Sequence, residues 1–220
     1  MNLHEDGGIS WVDSVRISGG NPMTSALLTH SVLVVEQQET VFGMDTRYDV
    51  YDADGQTIAA VRQVDQSAAR KAFRMVSKID EYLGHKFDVT DTDGTVLMRL
   101  ERPAKFLKSR LVVKEPNGTE IGEIAQLNNI GRVRFGLTSR GTPVGELRGK
   151  NIRDRAFKIL DVKERHVGSV SKKLEGLRGL LHSEDKYAVS IEPEVGHPLR
   201  KLAVAAGIGL DLAIHQSGEV

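Results

Sequence analysis

Two short acidic runs, Asp52-Ala53-Asp54-Gly55 and Asp91-Thr92-Asp93-Gly94, hold the side chains of this sequence that most resemble metal ligands. Alternate carboxylates before a glycine open a calcium loop of the helix–loop–helix kind, but such a loop ends on a bidentate Glu that neither run reaches. Asp-Gly is equally the pair that a tight turn between two strands requires, and that is the expectation here. The seven histidines, at positions 4, 30, 85, 166, 182, 197 and 215, include no i, i+4 pair and no HExxH, so a helical zinc site is not written. There is no cysteine, which removes disulfides, thiolate metal sites and thiol nucleophiles. No GxSxG, phosphate-binding loop or strand-following GxGxxG occurs; "GIGLD" (207–211) lies inside an apolar run, where close packing explains its glycines. A non-enzymatic protein is expected.

Charge is the remaining chemical signal. Thirty basic and thirty acidic residues cancel overall, but residues 1–66 hold 3 Lys and Arg against 10 Asp and Glu, while residues 99–178 hold 19 against 9. The basic middle would suit an anionic partner, either a phospholipid surface or a nucleic acid. Its densest part, Arg102, Lys105, Lys108 and Arg110 around Phe106 and Leu107, is the candidate contact patch.

The elements that must carry these residues follow from one pattern written five times. Residues 48–63, 87–102, 111–126, 135–150 and 157–172 each read as an alternating apolar half, a polar turn and a second alternating half. Period-two alternation marks a strand with one buried face, so each unit is a β-hairpin. With "SVLVVEQ" before them and "KYAVSIEP" after them, about a dozen antiparallel strands result. So many strands curl and close to hide their edges, which predicts a barrel.

Two helices are expected besides. Residues 67–83 place Ala69, Ala72, Phe73, Val76, Ile79 and Leu83 on one face, as a docked surface helix would. The second, near 199–214, is entered through Pro198 and is apolar nearly all round, with Leu199, Leu202, Val204, Ile208, Leu210 and Leu212 as its core residues. Its apolar part covers about 20 Å of helix against the ~30 Å of a bilayer core, so it is expected inside the barrel rather than across a membrane. Asp211, a carboxylate in that run, is expected at the barrel rim beside a strand Arg or Lys. Glu5 and Asp6 stand where a secretory signal needs basic residues, so export is not expected. Residues 1–30, rich in Gly, Asn and Pro, read as a loose tail, although Trp11 and the "SALL" run (25–28) could dock.

Taken together, "LVVEQQE" (33–39), "YDVYDADGQ" (48–56), "ERPAKF" (101–106), "IGEIAQ" (121–126), "VGSVSKKLEG" (167–176) and "LHSEDKYAVSIEPE" (181–194), closed by the terminal helix, resemble the phospholipid scramblase family. The resemblance covers about residues 31–215 and implies the tubby-like fold: about twelve antiparallel strands wrapped around a C-terminal hydrophobic helix, here one domain over 31–216. It further implies a scramblase-like, phospholipid-associated protein, peripheral at the cytoplasmic face of a membrane, with possible involvement in transbilayer lipid movement. The alternative use of such a barrel is an interaction module for nucleic acid or a protein. A calcium site proposed in the family corresponds here to Ser183, Glu184, Asp185 and Glu194. Ser183 and Lys186 replace the Asp and the neutral residue usual there, and an ammonium opposes the cation, so a polar turn is preferred to calcium at Asp185 and Glu194 and no cofactor is expected. The family's cysteine-rich and Pro-rich segments are absent.

Overall fold

A computed structural model describes residues 25–38, 47–64, 84–103, 109–128, 132–150, 156–172 and 186–214, the last with side chains to residue 210. A short helix α1 (Ala26–Thr29) leads into strand β1 (Val32–Gln38). Five hairpins follow: β2 (Arg47–Tyr51) with β3 (Thr57–Val64), β4 (His85–Asp91) with β5 (Val96–Arg102), and β6 (Arg110–Lys114) with β7 (Glu120–Gln126). The last two are β8 (Arg134–Ser139) with β9 (Thr142–Gly149) and β10 (Phe157–Asp161) with β11 (His166–Ser171). Strand β12 (Lys186–Ile191) and helix α2 (Leu199–Ile214) complete the order. Each strand pairs antiparallel with its neighbours in sequence, and β1 pairs with β12, so the twelve strands close into a barrel. The expected fold is the observed one. The helix expected over 67–83 lies outside the described residues.

The acidic runs are turns. Asp52 Oδ1 accepts the N–H groups of Asp54 and Gln56 at 2.9 and 2.8 Å, while Asp91 Oδ1 accepts that of Thr95 at 2.9 Å. Asp161 Oδ1 repeats the device on Lys163 and Arg165. Gly55 and Gly94 supply the left-handed residue of their turns at φ 82° and 89°. In the β10–β11 turn the same position is held by Glu164 at φ 61°, a conformation that costs a residue with a Cβ roughly 1 kcal/mol.

Inward positions are apolar and meet α2. Leu202, Val204, Ile208 and Leu210 are buried in the same cluster as Val50, Val89, Leu137 and Ile159 from the strands, with Leu199 packed at its edge. Of Leu212 and Asp211, which lie within α2, the side chains are outside the described residues. Gly207 and Gly209 face the wall: a Cβ on Gly207 would come within 2.5 Å of Val189, and one on Gly209 would collide with Leu111. This is the close approach that the sequence suggested. Among the described residues no helix is long and apolar enough to cross a membrane. α2, at 16 residues, is about 24 Å long.

The start of the barrel is tied to α2 by a buried arginine. Leu27 and Leu28 of the "SALL" run are buried, and the carbonyls that end α1 point at Arg200, itself 5% exposed. Its guanidinium donates to the carbonyls of Leu28, Thr29 (3.3 Å), His30 (2.7 Å) and Glu192 (3.1 Å). Burial pulls its pKa down from the usual arginine value. Next to it, Lys201 is buried with its Nζ 2.6 Å from Glu115 of the β6–β7 turn. Trp11 lies outside the described residues.

Candidate functional site

Outward positions of β8 to β11 carry the arrangement with chemical content. The register sets Arg134 opposite Arg148, Arg148 opposite Lys158 and Lys158 opposite Ser169, so one row crosses four strands at right angles to their run. Directly opposite residues have Cβ atoms about 5 Å apart, which makes the row a line of closely spaced cations. Below and beside it lies an open depression of about 1160 Å³, lined also by Arg132, Lys150 and Ser171.

Like charges so close need compensation, and two carboxylates supply part of it. Glu146, two residues away along β9, accepts from both Arg134 Nε (2.5 Å) and Nη2 (2.6 Å), and from Arg148 Nε at 2.8 Å. These two guanidinium groups hold its carboxyl down at about 2, Arg134 contributing most. Arg148 also reaches Glu164 at 2.7 Å, across the β10–β11 turn, but that carboxylate is 71% exposed. Lys158, Lys150 and Arg132 make no ion pair among the described residues. The face therefore keeps a net positive charge, and one of its two carboxylates stands in solvent where an external anion can displace it.

The residues expected to form a basic patch are distributed differently. Arg102 ends β5, half-buried, opposite His85, and Arg110 begins β6, exposed and 2.6 Å from Glu123. Both border a narrow apolar fissure beside Ala206 and Gly209 of α2, of about 30 Å³. That is room for a water molecule or two, not for a lipid chain. Lys105 and Lys108 lie outside the described residues, as does Asp185, while Glu194 is exposed in the turn after β12. Among the described residues no group of three His, Asp or Glu side chains comes together to hold a metal ion. The row on β8 to β11 was not singled out in the sequence, because its members are far apart in the chain. The available signal was the net charge of 99–178, which says that a basic face exists but not which residues share it.

The scramblase family profile matches residues 14–217, nearly the whole chain. A phospholipid scramblase family protein of Schizosaccharomyces pombe is 25% identical over 186 residues, covering 74% of this chain and 47% of its own. The chain thus spans about half the length of that relative. No solved structure matches.

Proposed function

Because the chain belongs to the scramblase family, we propose that it is a scramblase-like, phospholipid-associated protein whose β8–β11 face receives anionic headgroups at a membrane surface. The row Arg134, Arg148, Lys158 carries this reading. A phosphate diester entering the depression meets Lys158, which has no carboxylate to leave among the described residues, and Arg148, whose exposed partner Glu164 is easily exchanged. Each basic side chain held near an anionic surface contributes roughly 1 kcal/mol, so four or five suffice for reversible attachment.

The enclosed helix bears on how lipid would move. Exposing the dozen or so apolar side chains of α2 to reach a bilayer would cost on the order of 10–20 kcal/mol. The barrel therefore acts with α2 in place, from the membrane surface, holding headgroups while acyl chains stay in the bilayer. Transbilayer movement of phospholipid is the activity proposed for the headgroup-bound state.

Flotation with vesicles of phosphatidylserine and phosphatidylcholine at low salt tests the binding step. The chain is expected to float with them and not with phosphatidylcholine alone, and Arg148→Glu with Lys158→Glu to lower the bound fraction at least tenfold. Salt-sensitive retention on DNA without flotation would instead support the nucleic-acid use of the same face. Reconstitution with a fluorescent lipid tests transport: no acceleration of its transbilayer movement would reduce the proposal to binding.

A further inference from the structure

The hairpin topology sorts the charges by barrel end. All five hairpin turns, the β12–α2 connection and the start of α2 lie at one end, and the starts of β2, β4, β6, β8, β10 and β12 lie at the other. Take the two strand residues nearest each end together with the described residues beyond them. The turn end then holds ten carboxylates against four Lys and Arg, with Arg200 and Lys201 buried beneath. The opposite end holds eleven Lys and Arg against one carboxylate, Glu101, among the described residues.

Neutralisation at the basic end is uneven. Arg47, Arg110, Arg134 and Lys186 are each paired with a carboxylate nearer the barrel's middle. Arg132, Lys150, Lys158 and Lys172 have no ion pair among the described residues, and all four lie on the β8–β11 side. The basic pole is thus off-axis, over the depression.

We infer that the barrel meets an anionic bilayer with its basic end, tilted onto the β8–β11 side, and points its acidic turn end away from the lipid. This rests on the membrane-surface reading above and adds an orientation to it. The distance between the ends supports it: strands of five to eight residues tilted in a barrel separate the poles by about 15–20 Å, against a screening length of ~8 Å at physiological salt. With the basic end down, the acidic pole is some two screening lengths from the surface and its repulsion is largely lost. Inverted, the same pole would face the headgroups directly.

Two charge-reversal pairs of equal net charge separate position from amount. Arg132→Glu with Lys172→Glu is expected to lower partition into phosphatidylserine vesicles at least tenfold; Arg140→Glu with Lys163→Glu, at the turn end, less than twofold. Equal losses would overturn the orientation while leaving membrane binding intact, whereas an unaltered chain that does not bind the vesicles removes the reading underneath. Because the chain has no cysteine, single probes at Ala156→Cys and Ala53→Cys give a second readout that needs no charge change. Brominated lipid is expected to quench the probe at 156 and not at 53; quenching at 53 as strong as at 156 would overturn the orientation.

Discussion

Arg200 and Arg148 carry the same side chain into opposite situations. Arg200 is buried at the mouth of the barrel and donates to backbone carbonyls alone, joining α1, the end of β12 and α2 at one point. Arg148 lies on the outer wall and is held by two carboxylates, one of them exposed. A carbonyl in the interior has no alternative partner, so Arg200 is fixed and structural. A carboxylate in solvent can turn to water, so Arg148 can change partners and meet a ligand.

Removing Arg200 is the largest test of that difference. Arg200→Met leaves the carbonyls of Leu28, Thr29 and His30 without their guanidinium partner, and that of Glu192 with only its bond from the Val195 N–H, and is expected to cost about 3–5 kcal/mol in urea unfolding. Arg200→Lys is expected to recover little, since one ammonium cannot reach four carbonyls in the plane a guanidinium fills. If Arg200→Met unfolds at the unaltered midpoint, the interior member of the comparison fails.

Arg148→Ala is expected to do the reverse, leaving the unfolding midpoint nearly unmoved while weakening vesicle binding about fivefold. A large loss of stability with unchanged binding would make the outer arginine structural too.

Acid distinguishes the two arginines, because only the outer one is held by carboxylates. Glu146 is held at about 2, below its ordinary 4.5, by Arg134 and then Arg148. A carboxyl with a depressed folded pKa contributes stability that is complete above about 4.5 and is lost as pH falls towards 2. Glu146→Gln is therefore expected to lower the melting temperature at pH 7, with the difference from the unaltered chain mostly gone by about pH 2 and vanishing below it. A difference at pH 2 as large as that at pH 7 would mean that packing, not charge, holds Glu146.

Glu164→Gly gives the smallest effect. It relieves a left-handed residue worth roughly 1 kcal/mol and gives up an exposed ion pair worth less, so stability should rise by at most about 1 kcal/mol. Vesicle binding should increase, since Arg148 loses a competitor. Weaker binding would show that Glu164 orients Arg148 instead of occupying it.

The five hairpins were legible because alternation and Asp-Gly turns are local: Val50, Val61, Val89 and Leu100 sit on the buried face that their spacing requires. The burial of Leu202 to Leu210 was legible for the same reason, since a helix apolar on every side needs a complete enclosure. Arg200 was not, because an arginine at a helix start gives no sign that four carbonyls from two other segments converge on it. Arg102 and Arg110, close in sequence, look like a patch, but the barrel sets them beside a narrow fissure. Arg134, Arg148 and Lys158 look unrelated and stand in one row.

The strands, their turns and the apolar rod they must enclose are already written in the residue order, since they depend on neighbours within a few residues and on the general cost of exposing apolar surface. Tertiary structure alone decided which cations share a face and which end of the barrel is basic. Register and closure set those juxtapositions, and electrostatic interaction depends on distance in space, to which separation along the chain is no guide.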